Sequence, residues 1–279
     1  MEFLRPATIQ EAVEALAVRQ ERARVLAGGT DLVIRLKDGL ETTRSLIGLG
    51  RCIELHGVRE EPDQIVIGSM TTHEELARSM FLRRVAPALA AAAAEVGSVQ
   101  IRRRGTIGGN IVNASPSADL VPPLYVLDAT LVLVSRAGLR PVGIDEFATG
   151  PKQTRIRPDE ILTEIRFARP RADELQRYLK LGQRRALACA KVSLAFRARS
   201  TSGVLRDVRI ACGAVAPTVV RAREAERALE GTLPTADAIG RACAALARDI
   251  KPIDDVRSTA WYRLAACAEL LRRALPAPI

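Results

Sequence analysis

Two glycine pairs, Gly28-Gly29 and Gly108-Gly109, constrain this chain more than any other feature. Adjacent glycines let the backbone enter conformations closed to other residues and let a ligand approach the main chain closely. The first pair sits in Val25-Leu26-Ala27-Gly28-Gly29-Thr30-Asp31-Leu32. The second sits in Thr106-Ile107-Gly108-Gly109-Asn110-Ile111, which runs on to Asn113, Ser115, Ser117 and Asp119. Successive N–H groups in such turns form a nest for an anion, and neutral hydroxyl and amide side chains meet sugar or phosphate without repelling it. Either turn alone reads equally well as a tight corner, with Thr30 or Asp31 as a plain helix cap. Together, each flanked by Thr and each near a strand end, they suit a clamp closing on one pyrophosphate from opposite sides. A dinucleotide at the junction of two small α/β lobes follows.

The flanking patterns supply those lobes. Thr8-Ile9-Gln10-Glu11 is a capping box ahead of Ala12, Val13 and Leu16 at helical spacing. Residues 24–27 and 45–49 read as buried strands, with a helix from Leu32 to a stop at Gly39, so residues 1–55 form a β-α-β unit. The first Gly-Gly turn lies where a strand enters a helix, a place that favours phosphate. Downstream, 64–68 reads as a strand, and 71–75 offers two overlapping capping boxes for a helix reaching Met80. Residues 82–96 read as one Ala-rich helix, 125–134 as strand material, and 160–167 as a half-buried strand. The polar, proline-containing stretch Ala168-Arg169-Pro170-Arg171-Ala172 reads as a domain boundary. Beyond it come strand-like runs at 176–181, 192–198 and 204–215, then helices at 220–229, 236–250 and 258–275. The fold class is therefore α+β, with strands followed by helices in the last third.

The 279 residues carry a net charge of +10, yet only 3% are aromatic and the basic residues are dispersed. Short clusters occur at Arg102-Arg103-Arg104, Arg184-Arg185 and Arg272-Arg273, with no basic tail or aromatic-interleaved stripe of the kind nucleic-acid binding favours. Most of this charge reads as solvated surface. Five cysteines lie far apart without a C-x-x-C, which excludes a zinc ribbon or iron–sulfur cluster written into this chain and points to reduced thiols in the cytoplasm. The N-terminal residues lack an apolar run, and no stretch reaches membrane-spanning length. Only His56 and His73 are present, so a His-rich metal site is excluded; His73, in a capping segment, reads as a surface or capping residue. Neither G-x-G-x-x-G nor the P-loop pattern occurs, and no pair of carboxylates suggests acid–base hydrolysis.

Ala27-Gly28-Gly29-Thr30-Asp31-Leu32, Thr106-Ile107-Gly108-Gly109-Asn110-Ile111 and Ala114-Ser115-Pro116-Ser117-Ala118-Asp119-Leu120 together resemble the FAD-binding (medium) subunit of the molybdenum hydroxylases. That group includes the flavoproteins of aerobic carbon monoxide dehydrogenase and of xanthine dehydrogenase-like enzymes. The likeness spans the chain, taking in Phe3, Pro6 and Thr8, the run Phe147-Ala148-Thr149-Gly150-Pro151, Arg157-Pro158-Asp159-Glu160-Ile161-Leu162, and Val215-Ala216-Pro217. It implies two FAD-binding lobes, 1–55 and 56–170, and a C-terminal domain, 171–279, with a small antiparallel sheet and helices. It further implies an electron relay: FAD in this chain, the molybdopterin cofactor in a large subunit, 2Fe-2S clusters in a small one, and NAD, a quinone or O2 as external acceptor. A dimer of heterotrimers is the implied assembly. The alternative is a stand-alone FAD-dependent oxidase or reductase of the same flavin-binding superfamily.

Carried over position by position, the resemblance assigns FAD contacts to Val25, Leu26, Ala27, Gly28, Gly29, Thr30, Asp31 and Leu32, and to Thr106, Ile107, Gly108, Gly109 and Asn110, with the Gly amides on the pyrophosphate. Asp119 matches a carboxylate that contacts FAD, or else a turn-stabilising cap. Leu162 or Ile165 packs on the flavin or adenine, or serves only as core. Lys180 falls where the family often has a basic residue near the flavin; a solvated lysine is the other reading. Val96 stands where eukaryotic members carry an aromatic residue, so no stacking role transfers. The branch with an extra 4Fe-4S cluster in this subunit is disfavoured, since no cysteine lies between Asp119 and Glu160. Arg102-Arg103-Arg104, beside the second turn, suits either the FAD or an iron–sulfur partner. No metal ligand and no catalytic side chain is assigned.

Overall fold

A computed structural model describes residues 1–184 and 186–276; of the Arg184-Arg185 cluster, only Arg184 lies within them. Three larger β-sheets divide the chain, with a two-stranded ribbon, Ala148–Gly150 and Gln153–Thr154, besides. The first is parallel, with Ser45–Gly48 in the middle, flanked by Glu2–Leu4 and Ala23–Leu26. The short helix Leu32–Lys37 joins Ala23–Leu26 to Ser45–Gly48, and the helix Ile9–Arg19, whose N-cap Thr8 accepts from the Glu11 N–H, joins Glu2–Leu4 to Ala23–Leu26. Ala12, Val13 and Leu16 seal this helix onto Ile47 and Leu49, which is the face that their helical spacing requires.

The second sheet is antiparallel, in the order Val58–Glu60, Gln64–Gly68, Ile161–Ala168, Thr130–Ser135, Gly138–Gly143. Short helices cover one face of it, among them His73–Arg78, Pro87–Ala94, Ile107–Val112 and Val121–Val126. Glycine permits the junction with the first sheet: a Cβ at Gly68 would lie 2.2 Å from the Leu55 carbonyl oxygen.

The third sheet, also antiparallel, runs Glu174–Leu181, Val192–Thr201, Val204–Gly213, Val220–Arg221. Its two central strands are largely buried. Leu194, Phe196, Ile210 and Cys212 pack under the helices Ala236–Asp249 and Ala260–Ala274. The intervening Ala195 and Ala211 face the second sheet's helices and belong to that core. The alternation is therefore large against small rather than apolar against polar, and alanine lets the helices approach.

Several local expectations change. The Ala-rich stretch is two helices, Met80–Val85 and Pro87–Ala94, because Ala86 precedes a proline and leaves the helical region at φ −138°. Tyr125 and Val126 are helical, and the strand begins at Thr130; paired Pro122 and Pro123 occupy the first turn of that helix, where their missing N–H groups cost nothing. Arg223, not Val220, opens the next helix. Residues 23–26 form a strand that is only half-buried beyond Ala23, since its other side is a cleft wall. Among the described residues no helix is long and apolar enough to cross a membrane.

Replacing Gly68 by Ala is expected to lower stability by about 2 kcal/mol or more, because backbone on both sides must move. Thermal unfolding of the purified variant checks it, and an unchanged midpoint would contradict the packing described.

Candidate functional site

The two Gly-Gly turns meet. A Cβ at Gly28 would lie 1.9 Å from the Arg104 carbonyl oxygen and 2.9 Å from the Gly105 Cα, so only a glycine lets the first turn rest on the second. Gly29 has φ +74°, in the left-handed region that glycine adopts freely. Where the turns meet, a cavity of about 1040 Å³ opens between the first and second sheets, a size suited to a large cofactor rather than a small metabolite.

Of the residues assigned from the sequence, Val25, Ala27, Gly28, Gly29, Thr30, Asp31 and Leu32 line this cavity from one side. Thr106, Gly108, Gly109 and Asn110 line it from the other, and Asp119 and Leu162 complete the wall. Three sit elsewhere. Leu26 lies half-buried beside the turn, Ile107 is wholly inside the second sheet's core, and Lys180 stands behind Asp119.

The two turns are chemically unlike. Among the described residues, no acceptor takes the N–H groups of Gly28, Gly29, Thr30, Asp31 or Leu32. Five consecutive amides are left free, which is the condition an anion nest requires. The second turn has spent its amides. Ile107 donates to Thr71 O at 3.0 Å, Gly108 to Ser69 O at 2.8 Å, Gly109 to Thr106 Oγ1 at 3.1 Å and Asn110 to Thr106 O at 3.0 Å. The expectation of Gly amides on a pyrophosphate from both sides thus meets free amides on the first side only. What the second turn offers is shape and side chains: a Cβ at Gly108 would strike Ser69 at 2.7 Å.

Three buried polar atoms on this wall have no protein partner: Ser69 Oγ, His73 Nδ1 and Asn110 Oδ1. Buried polar groups are nearly always satisfied in native proteins, so three orphans just behind one cavity wall are more than packing alone accounts for. His73 was missed by sequence reasoning. It is 4% exposed, packed behind Gly105, and burial, helped by the Arg102 guanidinium, pushes its pKa down to about 4. Two patterns hid it: the Thr72–Glu75 capping box, which does form, and the absence of any second ligand-type residue near it in sequence.

Asp119 is held from behind. Tyr178 donates to its Oδ1 at 2.8 Å, and the Lys180 ammonium to its Oδ2 at 2.8 Å and to Glu95 O at 3.0 Å. Burial pushes the carboxyl up, while Lys180 and Tyr178 oppose it; burial and the adjacent Asp119 push the Tyr178 hydroxyl well up. Lys180 is therefore neither solvated nor part of the cavity wall. Across the mouth, Lys152 reaches Asn113 Oδ1 at 2.6 Å and Asp31 Oδ2 at 3.3 Å, tying the ends of the two turns. Arg102 is committed to Glu74 and the carbonyls of Val96 and Gly97, whereas Arg103 and Arg104 are exposed. Among the described residues no group of three or more His, Cys, Asp or Glu side chains is placed to hold a metal ion.

Known proteins share the sequence pattern and the fold. The family model described as the FAD binding domain in molybdopterin dehydrogenase matches residues 1–170, and that described as the CO dehydrogenase flavoprotein C-terminal domain matches residues 177–277. The chain is 33% identical over 267 residues to the xanthine dehydrogenase FAD-binding subunit of Escherichia coli, covering 94% of this chain and 90% of that protein. It is 33% identical over 282 residues to the carbon monoxide dehydrogenase medium chain of Hydrogenophaga pseudoflava, covering 99% and 96%. In the solved carbon monoxide dehydrogenase of that organism, lacking the Mo-pyranopterin moiety, a chain superposes with a TM-score of 0.94 at 34% identity, covering 98% of this chain and 95% of that one.

Because the folded His73 pKa lies near 4, below its ordinary 6.5, the unfolded chain takes up the proton first. The stability contributed by the neutral side chain is then whole above pH 6.5 and is lost as pH falls toward 4, by about 3 kcal/mol at most. Comparing denaturant unfolding of wild type and His73→Gln across that range isolates the effect from the carboxylates; parallel curves would refute it.

Proposed function

Because this chain belongs to the FAD-binding medium subunits of the molybdenum hydroxylases, the xanthine and carbon monoxide dehydrogenase family, we propose that it seats FAD in the cleft between its first two sheets and relays electrons within an oxidoreductase complex. The supporting observation is the asymmetry of that cleft, whose lining residues 28–32 carry five free amides while the amides of residues 107–110 are all taken within the protein. Bound FAD would supply the redox chemistry.

The chain's own residues bind and orient. Gly28 and Gly29 bring backbone N–H groups to the diphosphate, and Thr106 and Asn110 present neutral groups opposite. Leu162 and Val25 give apolar contact, and Asp119, braced by Tyr178 and Lys180, holds a hydroxyl or amide of the cofactor. The brace fixes the carboxylate without offering a proton-transfer partner from solvent, which suits a relay rather than a hydrolase.

In this reading the chain divides into a lobe of residues 1–55, a second lobe of 56–170 and a C-terminal domain of 171–279. Electrons reach it from a large subunit carrying the molybdopterin cofactor by way of a small subunit with 2Fe-2S clusters. They leave to an external acceptor such as NAD, a quinone or O2. The assembly proposed is a cytoplasmic dimer of heterotrimers. The named medium chain of Hydrogenophaga pseudoflava carbon monoxide dehydrogenase supports the subunit arrangement by analogy.

Purification of the native complex is expected to yield flavin, molybdenum and iron together, with this chain holding the flavin. Replacing Gly28 by Ala, whose Cβ cannot fit against Arg104, is expected to weaken FAD retention at least about tenfold, measured as bound flavin per chain. A Gly28→Ala complex with full flavin content would overturn the site.

A further inference from the structure

Behind the second turn stands a side chain that no cofactor role has yet been given. His73 is held by its backbone, whose N–H donates to Gly105 O at 3.0 Å, and by the helix His73–Arg78 that it opens. Its ring is almost wholly buried, yet it borders the cavity. Nδ1 is sealed from solvent without a partner, and among the described residues Nε2 has no protein partner either. A neutral imidazole carries one N–H. That hydrogen belongs on Nε2, the edge where the cavity can provide an acceptor, rather than on the sealed Nδ1.

Gly105 keeps this edge open. A Cβ there would lie 2.9 Å from both Cδ2 and Nε2 of His73, closing the gap between ring and cavity. The same Gly105 is what Gly28 rests upon, its Cα 2.9 Å from where a Gly28 Cβ would be. Gly105 therefore lies between Gly28 and the His73 ring, and His73, Gly105 and residues 28–32 with their free amides all line the same cavity. Arg102, the neighbouring cation, is turned to Glu74 and two carbonyls and does not compete for the same acceptor.

We propose that His73 is a positioning residue for the cofactor's diphosphate, donating from Nε2–H to a phosphate oxygen through the opening that Gly105 leaves. The inference rests on the FAD reading and extends it. The second turn, its amides spent within the protein, contributes its anion-facing donor through a side chain behind it.

The test uses the full-length chain purified with its associated subunits, stripped of flavin and titrated with FAD, ADP and riboflavin. His73→Leu is expected to weaken FAD and ADP at least about tenfold and to leave riboflavin, which lacks the diphosphate, unchanged. His73→Gln, which retains an N–H donor, is expected to stay within about threefold of wild type. Gly105→Ala, which keeps the imidazole but shuts its edge, is expected to repeat the selective loss; circular dichroism confirms that each variant is folded. Unchanged ADP affinity in folded His73→Leu would overturn the proposal, as would equal losses of ADP and riboflavin, or a Gln variant as weak as the Leu variant. Failure of the wild type to bind FAD would instead sink the FAD reading itself.

Discussion

The main-chain contact of Gly28 with Arg104 and Gly105 decides where everything else in the cleft can stand. It is a steric permission rather than an attraction: without a Cβ the first turn settles directly on the carbonyl oxygen of Arg104. The ends of both turns then come within reach of one side chain, Lys152, and Ala27 comes alongside Gly109. The Lys152–Asp31 pair is half-exposed on both sides, and such pairs contribute at most about 1 kcal/mol. It aligns the mouth of the cleft; the glycine contact and the separate cores of the two sheets determine that a cleft exists.

Depth in the cleft depends on the third sheet. Tyr178 and Lys180 stand two residues apart on the strand Glu174–Leu181, so both point to the same side and converge on Asp119. A buried ion pair is a poor source of net stability, because desolvation offsets most of the Coulomb attraction. Its value here is orientation. Both oxygens of Asp119 are spoken for in fixed directions, and a cavity-facing carboxylate with no rotamer freedom can discriminate among the groups a cofactor presents. The C-terminal domain is thereby part of the site although its strands supply none of the glycines.

The glycine pairs were legible because their meaning is local: a Gly-Gly flanked by Thr near a strand end restricts what the backbone is for. The β-α-β unit of residues 1–55 was legible for a similar reason, in its strand runs and the helical spacing of Ala12, Val13 and Leu16, whereas the antiparallel C-terminal sheet followed only from the family resemblance. What escaped was set by tertiary contact. Ala86 ends a helix only because Pro87 follows, a rule available in the sequence but masked by the alanine run around it. His73 was hidden by a capping box that is real yet irrelevant to its ring, whose burial comes from packing behind Gly105, far off in the chain. Lys180 could be placed near the site, but not on the far side of Asp119, because no spacing rule relates one strand's face to a loop in another domain. The spent amides of residues 107–110 are likewise a property of Thr71 and Ser69 coming alongside them.

These contacts explain why a strongly basic chain need not bind its anion with basic side chains. Its guanidinium groups are largely engaged elsewhere: Arg197 with Glu174, Arg221 with Glu226, Arg140 with Glu160, Arg263 with Asp255. The cations lining the cleft are similarly paired, Arg24 and Arg35 with Glu41, Arg157 with Glu160 and Lys152 with Asp31. A phosphate entering there meets free backbone dipoles, fixed in direction and needing no counter-charge of their own. In the proposed reading such donors would hold the diphosphate without a charge of their own, and Ser69, Asn110 and an uncharged His73 add none on their part of the wall. For a redox cofactor the distinction has a consequence. Positive charge close to a flavin favours its reduced, anionic form, so binding the phosphates by amides lets the two ends of the cofactor be tuned separately: one by backbone geometry at residues 28–32, the other by whatever surrounds Asp119 and Leu162.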